Sequence, residues 1–180
     1  MIEALTLFAI LGIFAGLIAG MFGVGGGIIT VPFFVAFFIQ FGFEEEIIIH
    51  MAVGTSLGCI VFTGISSAYA HGKKNAISYN FLKPLASGIV IGAFLGALFA
   101  VQLNGNLLKT IIGIFALLIA IQMSVSKDIK LKPRNQTNKE PYFVGSGIGF
   151  LSSILGIGGG IFSVPYLKAS GLPMTSSVGT

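Results

Sequence analysis

A chain of 180 residues with 54% hydrophobic and only 9% charged side chains, at a mean hydropathy of +0.97, cannot cover itself with a wetted surface, since soluble domains carry about a quarter charged residues. The formal charge of +4 is no nucleic-acid footprint, because the ten Lys and Arg fall in short connections between apolar blocks, where the positive-inside rule puts them. The single Cys59 excludes an internal disulfide and, inside an apolar run, reads as a packing residue.

The chain opens MIEALTLF, with Glu3 and no Lys or Arg, and no small-residue cleavage site follows, so the first apolar block is expected to stay in the mature protein. Charge-free blocks then run over residues 4–42, 47–70, 84–103, about 110–125 and about 142–167. Most are near the length of about 20 residues that crosses a hydrocarbon core of about 30 Å. The first is too long for one straight span, because at about 1.5 Å per residue it would reach about 58 Å. It should break at Gly23-Val24-Gly25-Gly26-Gly27, just before Val31-Pro32. Each interior glycine weakens a helix by about 1 kcal/mol, and proline removes a donor. Unwound backbone in a membrane must face protein or a watery cavity, so the break is expected to point into the bundle.

The connections set an orientation. Loop 71–83 holds His71, Lys73, Lys74 and Lys83, and loop 126–140 holds Lys127, Lys130, Lys132, Arg134 and Lys139 against Asp128 and Glu140. Both are expected on the cytoplasmic side, which places the Asn104-Gly105-Asn106 turn and the acidic Glu44-Glu45-Glu46 turn together on the opposite side. The predicted class is all-α: a polytopic transmembrane helical bundle with an internal repeat and glycine-broken helices.

The repeat emerges on self-comparison. Residues 12–34 align without gaps on residues 145–167 at an offset of 133, with nine of 23 positions identical. Val53-Gly54-Thr55 recurs as Val178-Gly179-Thr180 at an offset of 125. This predicts a first membrane repeat over 1–125, a basic cytoplasmic linker over 126–140, and the opening of a second, incomplete repeat over 141–180. Paired broken helices at equivalent places in two halves point to a transporter site near the midplane. The rows Gly12/Gly16/Gly20 and Gly88/Gly92/Gly96, one turn apart, are expected instead to serve close helix packing.

At these residues the chain resembles the TauE/SafE sulfite-exporter-like family of membrane permeases. The resemblance is carried by Gly23, Gly25, Gly26, Gly27, Val31 and Pro32 with Gly54, Thr55 and Ser56, and again by Gly156, Gly158, Gly159, Gly160, Val164 and Pro165 with Gly179 and Thr180. It implies two related membrane halves and the export or uptake of sulfite, sulfoacetate or other small sulfur-containing or organic anions.

The chemistry of the breaks agrees. A helix that restarts after glycines presents unpaired N–H groups and a dipole end equivalent to about half a positive charge, which favours an anion. Gly23, Gly25, Gly26, Gly27, Gly156, Gly158, Gly159 and Gly160 are therefore the candidate substrate-binding residues. Thr55 and Ser56 would offer hydroxyls, and Pro32 and Pro165 would hold the bends. No Lys or Arg lies within the first two blocks, so neutral donors must recognise the substrate. His50, beside the acidic turn, reads first as a solvated interfacial residue and second as a proton-coupling group.

Catalysis is not expected. Apart from His50 at the edge of the second block, the intramembrane blocks offer Cys59 alone and no carboxylate, so no metal site or cofactor follows, and neither Ser56 nor Ser153 has a histidine or lysine partner at its depth. The expected protein is a multi-pass permease of a bacterial inner membrane. Its partners are the lipid bilayer, a small anionic substrate, and a second polypeptide or second copy supplying further spans. The alternative is a non-transporting membrane subunit or a truncated remnant of such a transporter.

Overall fold

A computed structural model describes residues 12–13, 16–17, 27–72, 79–125, 140–173 and 176–177. Among these residues the fold is helical, with six helices and no strand. Helix α1 spans Gly27–Gln40, α2 Glu45–Gly72, α3 Tyr79–Gln102, α4 Gly105–Val125, α5 Glu140–Leu155 and α6 Gly160–Ala169. Of these, α2 over Glu45–Ala70 and α3 over Leu82–Gln102 are long and apolar enough to cross a membrane, and Gly27–Gln40 and Gly105–Ile121 are shorter apolar helices.

Local chemistry explains the ends. Helix α1 closes on Gly42, whose φ of 74° suits a residue without a Cβ. The Phe43 amide returns to the Phe38 carbonyl at 3.1 Å and the Gly42 amide to Ile39 at 3.1 Å, a Schellman closure. Its usual apolar contact is present as well, with the Phe38 and Phe43 rings 5.2 Å apart. Helix α2 then starts on the Glu44 carbonyl, which accepts from the Ile47 and Ile48 amides at 3.2 Å each. Glu45 and Glu46 occupy its first turn, where negative charge meets the positive dipole end. Asn104 separates α3 from α4 and accepts the Leu108 amide at 3.0 Å.

Two helices reach further than charge-free runs suggest. Helix α3 begins at Tyr79 and carries Lys83 within it, and α4 begins at Gly105 and carries Lys109. A lysine stem lies along apolar surface while its ammonium reaches outward, so one cation does not end a helix.

The tightest packing joins α3 to α5 through glycine. A methyl on Gly92 would meet the Ser146 carbonyl, one on Gly149 the Ile89 carbonyl, and one on Gly96 would lie 2.5 Å from the Phe150 oxygen. The Gly88/Gly92/Gly96 row thus serves helix packing, as its spacing predicted. A buried cluster of Val31, Ile49, Ala52, Val53, Leu108, Ile112, Ile154, Leu155 and Ile157 draws α1, α2, α4 and α5 around the point where α5 ends. Outside it, large apolar side chains such as Phe62, Phe94, Leu117 and Phe143 are exposed. Cys59 is exposed too, against the expectation that it packs, because it sits where α2 runs outward into a stretch, residues 61–70, whose side chains are all exposed.

The acidic turn and the Asn104 turn lie side by side: a methyl on Gly105 would stand 2.8 Å from the Glu46 carbonyl. Between them a cleft of about 940 Å³ is lined by residues including Glu45, Glu46, His50, Asn104, Asn106 and Lys109.

Candidate functional site

The second glycine cluster breaks a helix. Helix α5 ends at Leu155, and Gly156 takes φ 66°, while the Ile157 amide returns to the Ser152 carbonyl at 3.1 Å. This is again the Schellman pattern, with glycine in the left-handed position. Gly158 and Gly159 carry the chain across, and α6 restarts at Gly160. In the first repeat α1 starts at Gly27, the position equivalent to Gly160 at the 133-residue offset. Gly23, Gly25 and Gly26 lie outside the described residues.

The two glycine clusters touch. A methyl on Gly27 would collide with the Gly156 carbonyl oxygen and the Ile157 Cα, and one on Gly156 would come within 2.9 Å of Val31 Cγ2 and 3.1 Å of Val53 Cα. Backbone crosses backbone here with no room for a side chain on either strand of the crossing.

One hydroxyl fastens the crossing. Ser56, fully buried, donates to the Gly156 carbonyl at 2.8 Å, and its oxygen lies 2.7 Å from Thr30 Oγ1. Ser56 has a single proton and gives it to Gly156, so Thr30 is the donor to Ser56. Thr30 also lies 3.5 Å from the Gly27 carbonyl, a distance too long to compete. The chain Thr30 to Ser56 to Gly156 thus runs from α1 through α2 to the end of α5. Thr55, one residue away, is exposed and donates to the Met51 carbonyl of its own helix at 2.7 Å, apart from the crossing.

The start of α6 has no side-chain cap among the described residues. Its N-cap is Gly159, with no side-chain hydrogen bond, and the Gly159 carbonyl accepts from the Phe162 and Ser163 amides at 3.1 and 2.9 Å. The amides of Gly160 and Ile161 precede the first carbonyl they could bond within the helix. Gly159 itself faces α5: a methyl there would stand 3.2 Å from Ile148 Cγ2 and 3.5 Å from Ser152 Oγ.

Pro32 and Pro165 lie inside α1 and α6, at equivalent positions of the repeat. Each leaves the carbonyl four residues earlier, Ile28 or Ile161, without its helical donor. The structure thus brings Gly27, Ser56 and Gly156 together, places Gly159 and Gly160 at the α6 start, and leaves Thr55 outside. Thr30 was not singled out from sequence, although Ser163 stands at its equivalent position and a repeat-wide comparison of hydroxyls would have found it. His50 is half-buried, with Nε2 3.2 Å from the Ala100 carbonyl and 3.1 Å from that of Leu103. Both partners only accept, so Nε2 carries the hydrogen and closes the C-terminal end of α3.

Known proteins resemble the chain in sequence. The family model described as sulfite exporter TauE/SafE matches residues 8–180. The chain belongs to the sulfite exporter TauE/SafE family. Among its relatives, a protein of Haemophilus influenzae named "Probable membrane transporter protein" is 34% identical, covering 100% of this chain and 69% of the relative. One so named in Methanocaldococcus jannaschii is 33% identical, over 97% of this chain and 65% of its own length. YunE of Bacillus subtilis, named in the same way, is 32% identical, over 89% of this chain and 66% of its own. The chain therefore spans about two thirds of the length of these TauE/SafE relatives. No solved structure matches it. With this family and two membrane-length apolar helices, it is a helical membrane protein.

Proposed function

We propose that the chain forms the greater part of a multi-pass permease of the cell membrane that moves a small anion, with sulfite and small organosulfonates as the leading substrates, through the crossing of its two glycine clusters. The observation that carries this reading is the uncapped start of α6 at Gly159 and Gly160, directly beside the contact of Gly27 with Gly156 and Ile157. Oriented amides give a positive pocket without a charged side chain. An anion held by neutral donors is released more readily than one paired with lysine or arginine, as a permease requires. The names of the TauE/SafE relatives support transport as the activity, and a non-enzymatic role follows from that reading.

The test is flux of radiolabelled sulfite in vesicles containing the chain, or the chain together with any completing partner, against a Gly159→Leu variant. The expected outcome is loss of flux in the variant with membrane insertion unchanged. Equal flux would remove the α6 start from the transport path.

A further inference from the structure

Ser152 is 7% exposed, and its hydroxyl is covered and has no hydrogen-bond partner among the described residues. This is unusual for a hydroxyl on a helix, which can always turn back to the carbonyl four residues earlier. Thr55 does so onto Met51 at 2.7 Å, Thr110 onto Asn106 at 2.9 Å and Ser170 onto Tyr166 at 2.8 Å. Ser152 forgoes that bond and points its oxygen at Gly159, where a methyl would stand 3.5 Å away. Gly159 is the N-cap of α6 and lacks any side-chain cap. Among the described residues, an unpaired buried hydroxyl therefore meets a helix start without a side-chain cap, beside Ile148, where unmade hydrogen bonds are costly.

We propose that Ser152 is a substrate-binding residue: its hydroxyl donates to one oxygen of a small oxyanion whose second oxygen is held by the Gly160 and Ile161 amides at the start of α6. The inference rests on the transport reading above and refines it. Both sets of groups offer hydrogens, so the ligand that satisfies them together brings acceptors only. Their separation onto two helices favours an anion with at least two oxygens, such as sulfite, sulfate or a sulfonate, over a spherical halide. Because the hydroxyl is covered, the anion enters only when α6 and the end of α5 part, and it is occluded once they close. The first repeat carries Ala19 at the position equivalent to Ser152, so the two breaks are chemically unequal and the hydroxyl contact exists at the second alone.

The experiment uses the full chain purified in detergent, with thermal unfolding followed as sulfite, sulfate, methanesulfonate and chloride are titrated in turn. Binding to the native state raises the unfolding midpoint. For the unsubstituted protein, at least one oxyanion should raise it at concentrations where chloride does not. In Ser152→Ala the half-saturating oxyanion concentration should rise about tenfold or more, the weight of a hydrogen bond to a charged group, while Ser152→Thr, which keeps the hydroxyl, should restore it. Without any anion, Ser152→Ala should unfold no earlier than the parent, since the lost hydroxyl had no partner. Oxyanion binding to the parent with unchanged affinity in Ser152→Ala overturns the role of Ser152 and leaves the transport reading standing, and it is also the result expected if water alone fills the place. A drop in the anion-free midpoint of Ser152→Ala overturns it as well, by revealing a structural partner. No response of the parent to any of the oxyanions overturns the anion site itself, and this inference with it.

Discussion

Ser56 sits where three segments meet, and its oxygen makes two bonds there: it donates to the Gly156 carbonyl and accepts from Thr30. In Ser56→Ala the buried Gly156 carbonyl loses its donor and the half-buried Thr30 hydroxyl its acceptor, at a cost of about 1–3 kcal/mol. The expected outcome is an unfolding midpoint in detergent several degrees lower, with helix content unchanged; an unaltered midpoint would show that the bonds carry no weight. Ser56 was legible as a polar residue in an apolar helix next to a repeated Gly-Thr. Its acceptor was not, because Ser56 and Gly156 are 100 positions apart in sequence and only the tertiary crossing of the breaks joins them. His50 teaches the same lesson: it lines the cleft at the acidic turn, half-buried, but that its ring also closes the end of α3, at carbonyls 50 and 53 positions away, could not be seen in sequence.

At the scale of elements, α5 must stop where it does for α6 to begin with open amides. Gly156 performs the stop with φ 66°, and a side chain there would also press on Val31 and Val53. For Gly156→Ala the left-handed backbone alone costs roughly 1–2 kcal/mol, with the steric contact added to it. The substitution should lower stability and speed hydrogen exchange at the Ile157 amide, which bonds the Ser152 carbonyl in the native turn. Exchange as slow as in the parent would mean the turn tolerates a Cβ. This part of the fold could be read from the chain beforehand, since clustered glycines inside an apolar run cannot continue a helix in lipid. The five apolar blocks likewise anticipated the helices. Their ends were less legible, because α3 and α4 continue past Lys83 and Lys109 by a property of lysine stems that a charge-free criterion ignores.

At the scale of the molecule, the two repeats are equivalent in sequence but not in surroundings. Gly145 and Gly149 face α3, where a methyl on Gly145 would lie 2.5 Å from the Leu85 oxygen, while a methyl on Gly12 or Gly16, their equivalents in the first repeat, meets nothing within 4 Å among the described residues. Alanine should therefore act differently in the two places. Gly149→Ala should cost about 1–3 kcal/mol by forcing two helices apart, whereas Gly16→Ala should stay within about 0.5 kcal/mol, both measured by unfolding of the isolated chain. Equal effects would show that the contact with α3 does not distinguish the repeats. Spacing alone had assigned Gly12/Gly16/Gly20 and Gly88/Gly92/Gly96 to packing; the partners of the second row, Gly145 and Gly149 among them, became visible only in the coordinates.

The contact between Ser56 and Gly156 has a mechanical consequence. It fastens a helix of the first half to the turn of the second at the line along which the two halves meet. A neutral hydrogen bond is worth about 1 kcal/mol net, roughly twice thermal energy, so this clasp opens and recloses by thermal agitation alone. Backbone meeting backbone through glycine adds no interlocking side chains to resist the parting. The seam can favour the shut arrangement without imposing a rate limit on leaving it.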